Sequence, residues 1–112
     1  MNQRVDVTDD DLMLALKRMS EGLQKRIKEK GRGCFIGLHE TDGVLDEEVR
    51  EWKGEVHAND RMAALEELVD IGVTALFGVA SISTAVRVES DAARAAAPVK
   101  PPPAKPGAPT GR

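Results

Sequence analysis

Apolar residues recur three and four positions apart through most of the chain, so the pattern predicts helices. Leu12, Ala15, Leu16, Met19, Leu23 and Ile27 form one such stripe, which has the helical period. Thr8 followed three positions later by Asp11 predicts a capping box at its start, with Asp standing in for Glu. Gly31 and Gly33 predict its end. Residues 34–43, CFIGLHETDG, fit either a loop with an apolar anchor or the lead-in to a second helix. In VLDEEVREWKGEV, Leu45, Val49, Trp52 and Val56 follow at spacings of four, three and four, which predicts a helix with a narrow apolar seam. HAND, at 57–60, predicts a turn in which Asn59 or Asp60 caps a third helix over 61–88.

The second half of that third helix is apolar nearly all round. IGVTALFGVASISTAV, residues 71–86, carries no charge for 16 residues, short of the roughly 20 that a spanning helix needs. It also contains Gly72, Thr74, Gly78 and Ser81, and Asp70 directly precedes it. A buried helix, not a membrane span, is the expectation. Such a helix must be covered on several sides, and two further helices in so small a domain do not suffice. The reading is therefore all-α, with assembly into a dimer or larger through the apolar third helix. From Ala92 the composition changes. Residues 97–112 hold all six prolines, with Lys100, Lys105 and Arg112 and no acid. This predicts a helical domain over 1–96 and a disordered tail able to dock a protein.

Composition narrows the function classes. The 112 residues suit one small domain, and 41% apolar residues allow a modest core. Phe35, Phe77 and Trp52 are the only aromatics, which argues against a stacking platform for single-stranded nucleic acid. The net charge is -3 and no basic stripe runs through 1–97, which argues against direct DNA binding. Cys34 is alone, so there is no intrachain disulfide, and a reducing cytoplasm fits. MNQRVDVTDDD is too polar for a signal peptide. Cys34 is expected as a small buried apolar residue, Trp52 as a packing residue, and Met13, Met19 and Met62 as core or interface. KRIKEKGR, at 25–32, reads by default as a solvated basic helix end; phosphate contact from a neighbouring subunit is the sharper option.

The chemistry lies in two acidic runs. Glu48 and Glu51 are three apart, Glu47 and Glu51 four apart, and Glu67 and Asp70 three apart, so each pair shares a helix face. Each run alone reads as a solvated face. Their register changes that. Glu51 and Glu67 lie eight residues either side of Asn59, and Glu48 and Asp70 eleven. In an antiparallel helix pair folded about Asn59, four carboxylates meet at matching heights. Left bare, such a cluster is unfavourable or raises its own pKa values. A divalent cation removes the conflict, and all-oxygen ligands suit Mg²⁺ or Mn²⁺ over zinc. Mg²⁺ is commonly held by a few carboxylates together with phosphate, which points to a polyphosphate.

EEVRE (Glu47 to Glu51), fifteen intervening residues and ELVD (Glu67 to Asp70) resemble the EExxE…ExxD signature of the all-α nucleoside triphosphate pyrophosphohydrolases. This is the MazG-like superfamily, which includes dimeric dUTPases and phosphoribosyl-ATP pyrophosphohydrolases. The likeness runs over about residues 36–80 and is similar in cadence to short members, including phage-encoded ones. The resemblance implies a small antiparallel helical bundle that forms homodimers or homotetramers. It implies cleavage of a nucleoside triphosphate to monophosphate and pyrophosphate. Carried over, Glu48, Glu51, Glu67 and Asp70 hold the metal, and Glu47 orients or deprotonates the attacking water. His39, Lys53, Arg61 and Arg87 are the candidates for contacting the nucleotide. The alternative is a non-catalytic helical oligomer, an interaction module with a proline-rich docking tail.

Overall fold

The computed structural model describes residues 3–98. The expected tail from residue 99 onward lies outside them. Among the described residues all regular structure is helical: α1 (Asp9–Lys30), α2 (Gly37–His57) and α3 (Arg61–Ala96).

Each boundary has a local cause. The capping box of α1 closes in both directions: Thr8 N–H donates to Asp11 Oδ2 at 2.9 Å, and Asp11 N–H donates to Thr8 Oγ1 at 3.1 Å. The Thr8 backbone and hydroxyl hydrogen bonds together hold the Asp11 carboxyl below its ordinary range. The ambiguous stretch 34–43 divides. Phe35 is a buried anchor whose N–H donates to Ser81 Oγ at 3.1 Å, and α2 begins two residues later at Gly37. Ile36 caps α2 with no side-chain acceptor of its own; instead its N–H donates to Glu40 Oε1 at 3.2 Å. α3 runs eight residues beyond the expected end at Val88, reaching Ala96. Its alanine-rich end, DAARAA, has high helix propensity. Nothing interrupts it until Pro98, which disfavours helical backbone at Ala97.

α3 is the spine. It packs against both α1 and α2, whose backbones do not approach each other. The contacts with α2 pair descending with ascending numbers, Thr41 against Gly78 and Phe35 against Ser81, so α2 is antiparallel to α3. The contacts with α1 rise together, Met19 over Gly72, Gly22 against Val69 and Val73, and Arg26 over Phe77, so α1 runs parallel to α3. The core is small: Phe35, Val73 and Phe77, joined by the buried Thr74 and Ser81. Phe35 and Phe77 meet edge to face, with ring centroids 5.2 Å apart, a favoured aromatic geometry.

Several expected core residues are exposed. Leu12 and Leu16 lie on the half of α1 that precedes its contact with α3, and Met13, Met62 and Val56 face outward. Cys34 is exposed too, because its neighbour Phe35 takes the buried position. Leu76, Val79, Ile82 and Val86 leave α3 with an uncovered apolar face, as expected when two helices cannot surround a third. By length and composition α3 could also cross a membrane.

Gly22 sets the spacing between α1 and α3. A Cβ there would lie 2.9 Å from Val73 Cγ2 and 3.3 Å from Val69 Cγ1, both on stiff β-branched side chains. Gly22→Ala should gain up to about 1 kcal/mol in helix propensity and lose about 1–3 kcal/mol to overpacking. A net loss read as a lower urea midpoint is expected. A higher midpoint would mean that the helices separate at no cost.

Candidate metal centre

The turn between α2 and α3 fixes the register of the acids. Asn59 sits at φ 58°, the left-handed region that asparagine tolerates better than most residues. Its N–H donates to the Val56 carbonyl at 3.0 Å, and Asp60 N–H donates to the Glu55 carbonyl at 3.1 Å, the pair of bonds that closes a Schellman motif. Asp60 then opens α3, its Oδ1 accepting from Ala63 N–H at 3.1 Å. The Phe35–Ser81 bond ties the far end of the hairpin.

Pinned at both ends, the hairpin brings Glu48, Glu67 and Asp70 together. Each offers a carboxylate oxygen, and the three oxygens lie within 4.8 Å of one another. Glu51 completes the set electrostatically, within hydrogen-bonding reach of the Glu67 and Glu48 carboxyls. Burial is the main cause that pushes Glu67 up to about 7, followed by its bond to Glu51 and the charges of Glu51, Asp70 and Glu48. Glu48 is raised by burial, then by Glu51 and Asp70, with Lys30 pulling the other way. Asp70 is raised by burial and Glu51, with Lys25 and Lys30 opposing. Lys25 and Lys30 thus offset only part of the repulsion within the cluster.

The donor set fits a divalent metal. Oε2 of Glu48 and Oε2 of Glu67 are buried with no hydrogen-bond partner. Buried acceptors left bare are costly, and a hard cation is the partner that oxygen-only ligands suit.

The other expected site residues lie elsewhere. Glu47 is exposed on α2, outside the three-acid set and within electrostatic reach of Arg50, which itself pairs with Asp46 at 2.7 Å. His39 is exposed in the first turn of α2, about 14 Å along the helix axis from Glu48. Lys53 is exposed two residues past Glu51, which turns it to the far side of α2. Arg61 is exposed at the first position of α3, and Arg87 lies about 25 Å along that helix from Asp70. The structure places none of these four in the cleft that Glu48 and Asp70 line.

It brings α1 instead. Because α1 and α2 rest separately on α3, a cleft of about 230 Å³ opens between them, with Asp70, Val73 and Thr74 on its α3 side. Glu48 lines it from α2, and Lys25, Arg26 and Lys30 from α1. Sequence reasoning placed these cations by default at a solvated helix end, with phosphate contact from a neighbouring subunit as the sharper option. Their signal was the row Gly22, Arg26, Lys30, four apart and flanking the Leu23–Ile27 stripe.

No family model, no curated protein and no solved structure matches the chain.

Proposed function

We propose that the chain is a MazG-like, Mg²⁺- or Mn²⁺-dependent nucleoside triphosphate pyrophosphohydrolase. The observation that carries this reading is the meeting of Glu48, Glu67 and Asp70 across α2 and α3, with two buried carboxylate oxygens left without partners. A structural role for the cluster is hard to argue, because bare like charges oppose the packing they sit in.

In this reading Glu48, Glu51, Glu67 and Asp70 are the metal ligands. A bound divalent ion would offset charge on the phosphate oxygens and help position water. Glu47, one residue before Glu48 and free in solvent, is the group left to orient or deprotonate that water. The water oxygen bonds to the α-phosphorus as the bond to the bridging oxygen breaks, and pyrophosphate leaves. The assembly is a helical bundle in which the uncovered face of α3, with Leu76, Val79, Ile82 and Val86, meets a second copy. That exposed face equally suits the second reading, a helical oligomer that serves only as an interaction module.

Pyrophosphate release from a panel of nucleoside triphosphates, with Mg²⁺ or Mn²⁺, separates the two. Release by the wild type and none by the Glu48→Gln, Glu51→Gln double variant is expected. A folded wild type that releases none from any nucleotide, with metal present, leaves the interaction module as the function.

A further inference from the structure

A half-buried guanidinium with an unpaired Nη1 lines the same cleft. Arg26 lies 3.7 Å from the Phe77 ring centroid and 5.1 Å from that of Phe35, so cation–π contact fixes its position. Its Nη1 is buried and donates to nothing, and among the described residues Arg26 forms no salt bridge. The acids of the cleft have not captured it, although Glu48 and Asp70 line the same wall space. A charged donor held this way, half-buried and unsatisfied, is costly unless an acceptor arrives.

We propose that Arg26, with Lys25 and Lys30, forms an anion half-site that takes the phosphate groups of a polyphosphate substrate from within the same chain. This rests on the pyrophosphohydrolase reading and extends it to substrate binding. Three points carry it. Arg26 offers a planar fork that matches phosphate geometry, already placed by Phe77 and Phe35. Lys25 and Lys30 line the cleft beside it. The cleft charge also permits it: Lys25, Arg26 and Lys30 stand against Glu29, Glu48 and Asp70 and the two remaining metal ligands, Glu51 and Glu67, so a divalent cation among the acids brings the site to neutrality and removes the repulsion an anion would meet. At about 230 Å³ the cleft is smaller than a typical small-molecule pocket, and no aromatic residue lines it. It therefore suits the phosphates and leaves the base outside.

The probe is inorganic pyrophosphate, titrated calorimetrically into the full chain with and without Mg²⁺ at constant ionic strength. Mg²⁺-induced thermal stabilisation is read in parallel. Lys25→Gln, Lys30→Gln alters two exposed side chains and should leave folding intact. Its pyrophosphate affinity should fall about tenfold or more, while Mg²⁺ still stabilises the fold. Arg26→Gln should lose at least as much affinity, and Arg26→Lys should recover only part of it, because lysine lacks the fork. Wild-type affinity in the double lysine variant would overturn the half-site, as would a wild type that binds Mg²⁺ but not pyrophosphate. Lysine-dependent pyrophosphate binding with no Mg²⁺ response would uphold the half-site and remove the metal reading instead.

Discussion

Saturating Mg²⁺ or Mn²⁺ is expected to raise the Tm of the metal-free protein by about 10–20 °C. A ligand at a hundredfold excess over its Kd stabilises the folded state by about 2.7 kcal/mol, and each kcal/mol moves a domain of this size by about 4–8 °C. Glu67→Gln should abolish the rise, because it removes a ligand whose Oε2 is buried without a partner. The same substitution should raise the Tm of the metal-free protein. It removes a charge that Glu51, Asp70 and Glu48 all oppose, at almost no change in shape. This opposite pair of effects distinguishes a metal centre from a solvated acidic face, where the substitution does little in either condition. A metal response that survives Glu67→Gln, or no response in the wild type, would overturn the assignment of these residues as ligands.

Which parts of this were legible in the sequence follows from how local each cause is. The Thr8–Asp11 cap and the Asn59 turn depend on neighbouring residues. So does the pairing of Glu51 with Glu67 and of Glu48 with Asp70, once the turn is placed. The course of α1 was not legible. Gly31 ends the helix, but nothing within 31–36 states how the chain crosses to α2, and the contacts that settle it are distant ones, Gly22 against Val73 and Arg26 over Phe77. Nucleotide contacts were therefore sought at His39, Lys53, Arg61 and Arg87, and in KRIKEKGR only as a contact from a neighbouring subunit. In the fold the cations that share a cleft with Glu48 and Asp70 are Lys25, Arg26 and Lys30 of α1, which reaches it by packing along α3. The exposure of Leu12 and Leu16 has the same origin. Periodicity gives a stripe its direction, but only tertiary contact decides how much of the stripe is covered.

The pH dependence of stability should invert when metal is added. Glu67 titrates at about 7 in the folded chain against an ordinary value of 4.5. Between those two values the folded state keeps a proton that the unfolded state has lost. Stability changes with pH in proportion to the protons bound by the unfolded state minus those bound by the folded state, which here is negative. The Glu67 contribution is therefore complete below pH 4.5, declines as pH rises, and is lost above about 7. Glu48 and Asp70 are raised as well and act in the same direction. Solvent reaches this half-buried cluster, so the effect is on the order of 1 kcal/mol, a fall in Tm of about 4–8 °C from pH 5 to pH 8. Metal reverses the slope because its ligands must be deprotonated. The Mg²⁺-induced rise should be small at pH 5 and reach its full size by pH 8. Thermal melts across that range, with and without Mg²⁺, read both slopes. A metal-free Tm that holds level or climbs over this window would show that these carboxylates are not crowded in the folded chain. The physical case for a cation among them would then fail.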